Sequence, residues 1–261
     1  MASRASLADD FRRLGVLEGE TILLHASLRS LGWVCGGATS VVLAIMDTLG
    51  SDGTLIVPAQ TPENRDPARW DNPIVPDELW GRIRDSILPF DPQLSPAMAM
   101  GLVAETVRTW PGARRSMHPQ TSFAGIGPAA TELLATHDLD CQLGDRSPLG
   151  SLAAAKARFL LLGVGYEKCT AFHLAEYQLP QPPTRRQLCV VNGPQGRQWV
   201  EYQDIELNDR DFSQLGHDFE DSNPVRVGSV GAATARLANI ADAVSFAREW
   251  FSARRTPSRQ G

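Results

Sequence analysis

Residues 21–58 read TILLHASLRSLGWVCGGATSVVLAIMDTLGSDGTLIVP, and they set the architecture that the rest of the chain extends. The apolar run at 21–25 is typical of a buried strand. A loop of small residues follows over 26–37, a periodic segment to Leu49 predicts a helix, and residues 54–58 predict a second strand. Strand, helix and strand form a βαβ unit whose crossover should be right-handed, which indicates an α/β fold.

The remaining pattern predicts a central mixed sheet flanked by helices. Its most apolar run, residues 159–164, predicts another central strand. After residue 184 the sequence alternates between apolar and polar residues, which favours a hairpin and gives the C-terminal section α+β character. We expect a single domain over residues 1–252, with an inserted loop region at about 60–96 that is rich in proline and acidic residues, and a flexible tail at 253–261.

Composition excludes several functional classes. The 261 residues carry 25 Lys+Arg against 30 Asp+Glu, a net charge of −5, which disfavours nucleic acid and favours a cationic ligand. Four scattered cysteines encode neither a zinc site nor a disulfide scaffold, and widely spaced histidines predict no metal. Without a signal sequence or an apolar run long enough to span a membrane, we expect a cytoplasmic protein, either monomer or homodimer, that binds no membrane.

Candidate catalytic residues follow the predicted strands. The carboxyl ends of strands face the ligand crevice in open α/β sheets, so His25 and His173 should converge on one cleft. His173 and Glu176 share a helical face, where the carboxylate can orient the imidazole as a base. The same spacing also suits a pair that merely stabilises a helix. Thr170 is either a helix cap or a hydroxyl that faces the ligand, and Cys169 is either an inert thiol or an acyl carrier beside His173.

Two other stretches have the chemistry to bind an anionic cofactor. The loop at 27–32, which continues to a helix start near Gly37, offers hydroxyls, backbone amides and a guanidinium. Residues 114–119, RRSMHP, form a compact basic cluster that suits a phosphorylated group, although a solvated surface patch would look the same. Neither stretch is a GxGxxG motif or a P-loop.

A series of short motifs runs in order from about residue 5 to residue 250. They read LHASLRSLG (24–32), GGA (36–38), DGTL (52–55), PGARRSMHP (111–119), SFA (122–124), SPLG (147–150), LLLGVG (160–165) and TAFHLAE (170–176). Together they resemble the aminoglycoside 3-N-acetyltransferase family. The region at 60–96 matches this family poorly, so the resemblance leaves open which aminoglycosides are accepted.

The resemblance implies transfer of an acetyl group from acetyl-coenzyme A to the 3-amino group of the 2-deoxystreptamine ring of an aminoglycoside antibiotic. Such transfer confers resistance, and the fold should differ from that of the common small acetyltransferase superfamily. Transfer should be direct, in a ternary complex, with His173, Glu176 and Thr170 as catalytic residues. The residues expected to bind coenzyme A are His25, Ser27, Leu28, Arg29, Ser30, Gly37, Arg115, Ser116, His118 and Ser122.

A polycationic substrate should be bound by acidic side chains in the insertion and the C-terminal section, together with Tyr166. The candidates are Glu63, Asp66, Tyr166, Asp211 and Glu220. Two alternatives stay open: an acetyltransferase of this family that modifies a different amine, and a non-catalytic module that binds aminoglycosides or coenzyme A.

Overall fold

A computed structural model describes residues 1–70 and 73–255, which form a sheet with helices on both faces. The nine strands in the described residues are β1 (Thr21–Ala26), β2 (Thr54–Pro58), β3 (Arg114–Arg115), β4 (Phe123–Ile126), β5 (Arg158–Leu162), β6 (Thr184–Gly193), β7 (Gly196–Ile205), β8 (Arg226–Val230) and β9 (Ala233–Asn239). Seven of them form one sheet in the order β3-β4-β2-β1-β5-β9-β8, and β6 pairs with β7.

The centre of the large sheet is parallel and its edges are antiparallel. β1 runs parallel to β2 on one side and to β5 on the other. The outer pairs are antiparallel: β4 pairs with β2 and β3, and β9 pairs with β5 and β8. A helix connects β1 to β2, because adjacent parallel strands need a crossover. The predicted α/β fold with a central mixed sheet is confirmed, and so is the βαβ unit.

The helices in the described residues are α1 (Arg4–Leu14), α2 (Gly37–Leu49), α3 (Trp80–Ser86), α4 (Leu102–Arg108), α5 (Ala130–Leu133), α6 (Pro148–Ala154), α7 (Ala171–Tyr177), α8 (Phe212–Ser222) and α9 (Ile240–Arg254). Local sequence sets many of their ends. In α1, Ser3 caps the first turn and Gly15 ends the helix in a left-handed conformation at φ 97°.

The alternation of side chains along the strands divides the core into two layers. Ile22 and Leu24 of β1 face a cluster formed with α1, α2 and α4. Leu23, between them, faces the opposite cluster, which contains Phe159 of β5 and apolar residues of α5 to α9. His25 follows the same alternation as Leu23, so its side chain belongs to the face that α7 covers.

The C-terminal boundary differs from the expected one. α9 continues to Arg254, and Arg255 forms ion pairs with Glu176 and Asp211. The prediction of a flexible tail is therefore wrong for residues 253–255, because tertiary contacts hold this end of the chain. Residues 256–261 lie outside the described residues.

The insertion at 60–96 is docked on the β6–β7 hairpin. It contains α3 and three 3₁₀ helices at Pro62–Asn64, Pro67–Arg69 and Asp77–Leu79. The indole of Trp199 and the guanidinium of Arg197 donate hydrogen bonds to backbone carbonyls at Arg84 and Ile87. Insertion and hairpin thus form one unit at the carboxyl end of β2.

Asn64 is the main polar link in that unit. Its Oδ1 accepts a hydrogen bond from the N–H of Val190 at 2.9 Å, and its Nδ2 donates to the carbonyl of Val190 at 3.0 Å. A carboxamide carries the same donor and acceptor as a peptide group, so Asn64 pairs with β6 as a neighbouring strand would. Gln120 adds two bonds from its Nε2 to the carbonyls of Asn64 and Leu188.

Asn64→Ala should lower the free energy of unfolding by about 1–3 kcal/mol, because it leaves the buried N–H of Val190 without a partner. Urea unfolding followed by circular dichroism measures this loss. Asn192→Ala, which truncates an exposed asparagine in the same hairpin, serves as the control and should leave stability unchanged. Equal stability of the two variants would contradict the role given to Asn64.

Candidate active site

The site lies where β1 and β5 end. These strands are parallel neighbours, and His25 is in register with Leu161. The loops that follow them meet, because the N–H of Ser27 donates to the carbonyl of Leu162 at 2.9 Å. Gly163 adopts φ +68°, and a Cβ at this position would lie 2.5 Å from the Cβ of Ser30, so only glycine permits this approach.

A histidine and a carboxylate on α7 form the chemical centre of the site. Nδ1 of His173 and Oε2 of Glu176 are 2.6 Å apart, with side chains 12% and 3% exposed. The bond to Nδ1 fixes the ring and leaves Nε2 as the nitrogen available to accept a proton. Phe212 packs against the imidazole, with ring centroids 4.6 Å apart. The predicted contact between His173 and Glu176 is therefore present.

The second oxygen of Glu176 is held from two other segments. Oε1 accepts a hydrogen bond from the backbone N–H of Asn208 at 3.1 Å and another from Nη1 of Arg255. Sequence reasoning missed both residues. Arg255 lies in the presumed tail, and Asn208 contributes only its backbone, so neither carried a signal that spacing or composition could detect.

His25 contacts the start of the same helix. Its Nε2 lies 3.2 Å from Oγ1 of Thr170. Burial lowers the pKa of His25 from 6.5 to about 3, so the ring is neutral at physiological pH. The predicted convergence of His25 and His173 thus occurs through Thr170, which stands three residues before His173. His25 is only 8% exposed, so it offers a coenzyme little surface.

Cys169 is a core residue. The side chain is fully buried, and burial raises its pKa to about 12. A thiol with this pKa forms almost no thiolate near pH 7. The structure therefore favours the inert thiol over the acyl carrier.

Within the basic cluster at 114–119, Arg114 is exposed but Arg115 is not available to a ligand. The guanidinium of Arg115 donates to the carbonyls of Ala59, Pro92 and Ser95 and to Oγ of Ser122, and burial lowers its pKa to about 10. Ser122 is fully buried and itself donates to the carbonyl of Ala59. The geometry therefore argues against coenzyme A binding by Arg115 and Ser122, because their polar groups are engaged within the protein.

Ser116 and His118 belong to the same interior network. Oγ of Ser116 lies 2.9 Å from Nδ1 of His137 and accepts the N–H of Phe123. Nδ1 of His118 accepts the N–H groups of Gln120 and Thr121, both at 3.1 Å. Ser116 and His118 are 0% and 1% exposed, so burial excludes direct contact with a ligand in this conformation.

The loop after β1 remains accessible. Arg29 and Ser30 are exposed, Ser27 and Leu28 are half-buried, and the loop leads to the first turn of α2. Gly36 caps α2 without a side-chain hydrogen bond, and no described atom lies within 4 Å of the position of a Cβ on Gly37. The N–H of Gly37 donates to the carbonyl of Val34 at 3.0 Å, so an anion at this turn would be bound by the amides that follow it.

The five predicted substrate residues do not form one cluster. Glu63 is exposed in the insertion, whereas Asp66 is 9% exposed and accepts two hydrogen bonds from Arg84. Burial acts to raise the pKa of Asp66, but the hydrogen bonds from Arg84 and from the N–H of Ala68, together with the charge of Arg84, leave it lowered. Tyr166 is buried and donates to Glu220 at 2.9 Å, and burial raises its pKa.

Other cations of the protein already pair with two of these acids. Glu220 accepts a hydrogen bond from Arg236, and Asp211 forms a bidentate pair with Arg255. The polar groups of Asp66, Tyr166, Asp211 and Glu220 therefore all form hydrogen bonds or ion pairs within the protein. Glu63 alone among the five is exposed, so the structure does not support a ligand site built from this set.

Over 1–70 and 73–255, no group of three or more His, Cys, Asp and Glu side chains is placed to hold a metal ion. In the same ranges no helix is long and apolar enough to cross a membrane.

Comparison with known proteins shows similarity along nearly the whole chain. The model of the aminoglycoside 3-N-acetyltransferase family matches residues 23–252. A relative from Bacillus subtilis (strain 168), the prophage-derived aminoglycoside N(3')-acetyltransferase-like protein YokD, is 38% identical over 252 residues, which cover 95% of this chain and 92% of the relative. The crystal structure of YokD has a TM-score of 0.95 at 36% identity, and the match covers 98% of this chain and 96% of YokD.

Two ligand-bound structures are also similar. The binary complex of AAC-IIIb with CoASH has a TM-score of 0.87 and 30% identity, with coverage of 100% of this chain and 99% of that one. AAC-VIa bound to sisomicin has a TM-score of 0.85 and 32% identity, with coverage of 97% and 98%.

His118 should make stability depend on pH. Burial, the adjacent His137 and Arg65 lower its pKa from 6.5 to about 3, although the Leu139 carbonyl raises it. Between these two pKa values the unfolded chain binds a proton at this histidine and the folded protein does not. The free energy of unfolding is therefore unaffected by His118 above pH 6.5 and decreases as the pH drops from 6.5 toward 3.

Urea unfolding between pH 7 and pH 4 tests this. His118→Gln should flatten the slope by about 1.4 kcal/mol per pH unit, because one buried ionisable group is removed. His217→Gln removes an exposed imidazole and should keep the wild-type slope. An unchanged slope in His118→Gln would refute the assignment.

Proposed function

The chain belongs to the aminoglycoside 3-N-acetyltransferase family, and we propose that it transfers an acetyl group directly to an aminoglycoside with His173 as general base. Its activity is the acetyl-CoA-dependent N-acetylation of the 3-amino group of these antibiotics. The reaction turns a cationic amine into a neutral amide, which is the chemical basis of the resistance it confers. The fold and the active-site chemistry both agree with this activity.

One observation carries the mechanism: Nδ1 of His173 lies 2.6 Å from a buried carboxylate oxygen of Glu176, at the carboxyl ends of two parallel strands. An aminoglycoside amine is largely protonated near neutral pH and cannot attack until it loses a proton. Nε2 of His173 accepts that proton, and Glu176 stabilises the resulting imidazolium through Nδ1.

Bound acetyl-CoA supplies an activated thioester carbonyl and a sulfur leaving group. The free amine attacks the thioester carbonyl, and as the new N–C bond forms, the C–S bond breaks and His173 returns the proton it holds to the departing sulfur. The nitrogen releases its second proton to solvent, which leaves the neutral amide and the coenzyme thiol. The protein carries no acyl group in this scheme. The burial of Cys169 and the raised pKa of its thiol support direct transfer over a covalent route.

Thr170 is the proposed donor to the negative charge that develops on the thioester oxygen. The neutral imidazole of His25 carries one N–H, and we assign it to Nε2, which then donates to Oγ1 of Thr170. This leaves the hydroxyl proton of Thr170 free to point into the site beside His173. His25 thus orients Thr170 and does not itself contact coenzyme A.

Coenzyme A is assigned to the loop after β1. This loop carries the side chains of Ser27, Leu28, Arg29 and Ser30, and the N-terminal turn of α2 that follows it suits a phosphate. The CoASH complex of AAC-IIIb supports coenzyme binding in this fold. Since acetyl-CoA is an intracellular metabolite, we place the activity in the cytoplasm. That the protein is a monomer or a homodimer stays a prediction.

The aminoglycoside is assigned to the surface of the insertion around Glu63, which offers an exposed carboxylate after β2. A carboxylate there would attract a polycationic drug. The sisomicin complex of AAC-VIa supports this class of substrate.

His173→Gln should lower kcat by about 10²–10⁴-fold, because the proton acceptor is lost, while the KM for acetyl-CoA changes little. Release of the coenzyme thiol with a panel of 2-deoxystreptamine aminoglycosides measures both. Cys169→Ala is the control and should turn over like the wild type. A wild-type protein inactive with every drug in the panel would sink the proposed function, and an inactive Cys169→Ala would sink direct transfer.

Thr170→Val, which replaces a hydroxyl with a methyl group of similar size, should lower kcat by about 10²-fold through loss of the oxyanion donor. Thr170→Ser keeps the hydroxyl and should retain most of the activity. Steady-state kinetics of both variants give the answer, and wild-type kcat in Thr170→Val would assign the donor to a backbone amide instead.

A further inference from the structure

Arg255 reaches the catalytic pair from the far end of the chain. Its Nη1 donates to Oε1 of Glu176, and its Nε and Nη2 form a bidentate pair with Asp211. Nη2 also donates to the carbonyl of Asn208 at 2.7 Å. The guanidinium carbon lies 3.6 Å from the centroid of the Phe251 ring. This arginine is therefore fixed on three sides and is only 19% exposed.

Each of these contacts constrains Glu176. The carboxylate has two oxygens, and the proposed mechanism needs Oε2 aimed at Nδ1 of His173. Arg255 and the N–H of Asn208 occupy Oε1, so rotation of the carboxylate would break two hydrogen bonds. Asp211 in turn fixes the guanidinium through both of its oxygens. A chain of alternating charge thus runs from Asp211 through Arg255 and Glu176 to His173.

We propose that Arg255 is a positioning residue of the active site, which acts through Glu176 to set the orientation of His173. The inference rests on the function proposed above. It also gives Asp211 a role as the anchor of Arg255, in place of the substrate contact expected from the sequence.

The neighbouring residue provides a matched control. Arg254 also ends α9, also pairs with an aspartate (Asp218), and also stacks on an aromatic ring, 4.6 Å from the centroid of Trp250. It is exposed and makes no contact with Glu176 or His173. Arg254→Ala therefore removes the same chemistry from the same helix end without touching the catalytic pair.

The first readout is kinetic. Arg255→Ala should lower kcat by about 10²-fold with little change in the KM for acetyl-CoA, because His173 is misplaced and coenzyme contacts are not. Guanidinium ion at millimolar, non-denaturing concentration should restore about 10-fold of that loss, since it can refill the space between Glu176 and Asp211. Arg254→Ala should keep wild-type kcat and show no rescue. If Arg255 only stabilised the fold, guanidinium ion would not restore the kcat of Arg255→Ala, and its loss of activity would follow its loss of thermal stability.

The second readout needs no substrate. In proton NMR of the free protein, the Nδ1 proton that His173 shares with Glu176 should give a downfield resonance in the wild type and in Arg254→Ala. It should shift or vanish in Arg255→Ala and return with guanidinium. An unchanged resonance in Arg255→Ala would overturn the inference even if no aminoglycoside is turned over.

A third variant covers a failure of Arg255→Ala to fold. Arg255→Lys keeps the charge but cannot bridge Glu176 and Asp211 with a planar fork, so it should lose about 10-fold in kcat and shift the resonance. If Arg255→Lys had the wild-type kcat and the wild-type chemical shift of the His173 Nδ1 proton, the inference would likewise be overturned.

Discussion

The carboxylate of Glu176 is buried in a mostly apolar layer, and a buried charge persists only when hydrogen-bonded partners compensate its lost hydration. Removing a partner from such a group typically costs about 3–5 kcal/mol. Three segments therefore converge on it: His173 from α7, the backbone of Asn208 before α8, and Arg255 after α9. The same hydrogen bonds that compensate the buried carboxylate also fix the orientation of the His173 imidazole.

The sheet supplies the second constraint. Parallel pairing of β1 with β5 brings the loops after both strands to one edge, where Gly163 allows them to touch. One loop leads to the first turn of α2, and the other leads to Thr170 and α7. The proposed coenzyme loop and the proposed base are thereby linked through His25 and Thr170, which are 145 positions apart in the sequence. The separation in sequence makes this geometry a property of the whole fold.

Local patterns predicted part of this arrangement well. The i,i+3 spacing of His173 and Glu176 requires contact once α7 forms, and the strand-end position of His25 correctly indicated convergence with that helix. The basic cluster shows the opposite case. Arg115 and His118 carry chemistry that suits a phosphate, but Arg115 donates to backbone carbonyls such as that of Ala59, and His118 accepts from the N–H groups of Gln120 and Thr121. Nothing in their own segment shows which carbonyls will approach.

Periodicity, caps and motif order thus established the βαβ core, the mixed sheet and the His173–Glu176 pair, because each depends on residues a few positions apart. The partners of Glu176 and the burial of Ser116 and Ser122 arose from packing. Arg255 joins Glu176 across 79 residues, a contact that exists because α9 packs beside α7 and ends above the site. Hydrogen bonds between such distant segments depend on how helices stack on the sheet, and a linear pattern carries no record of that stacking.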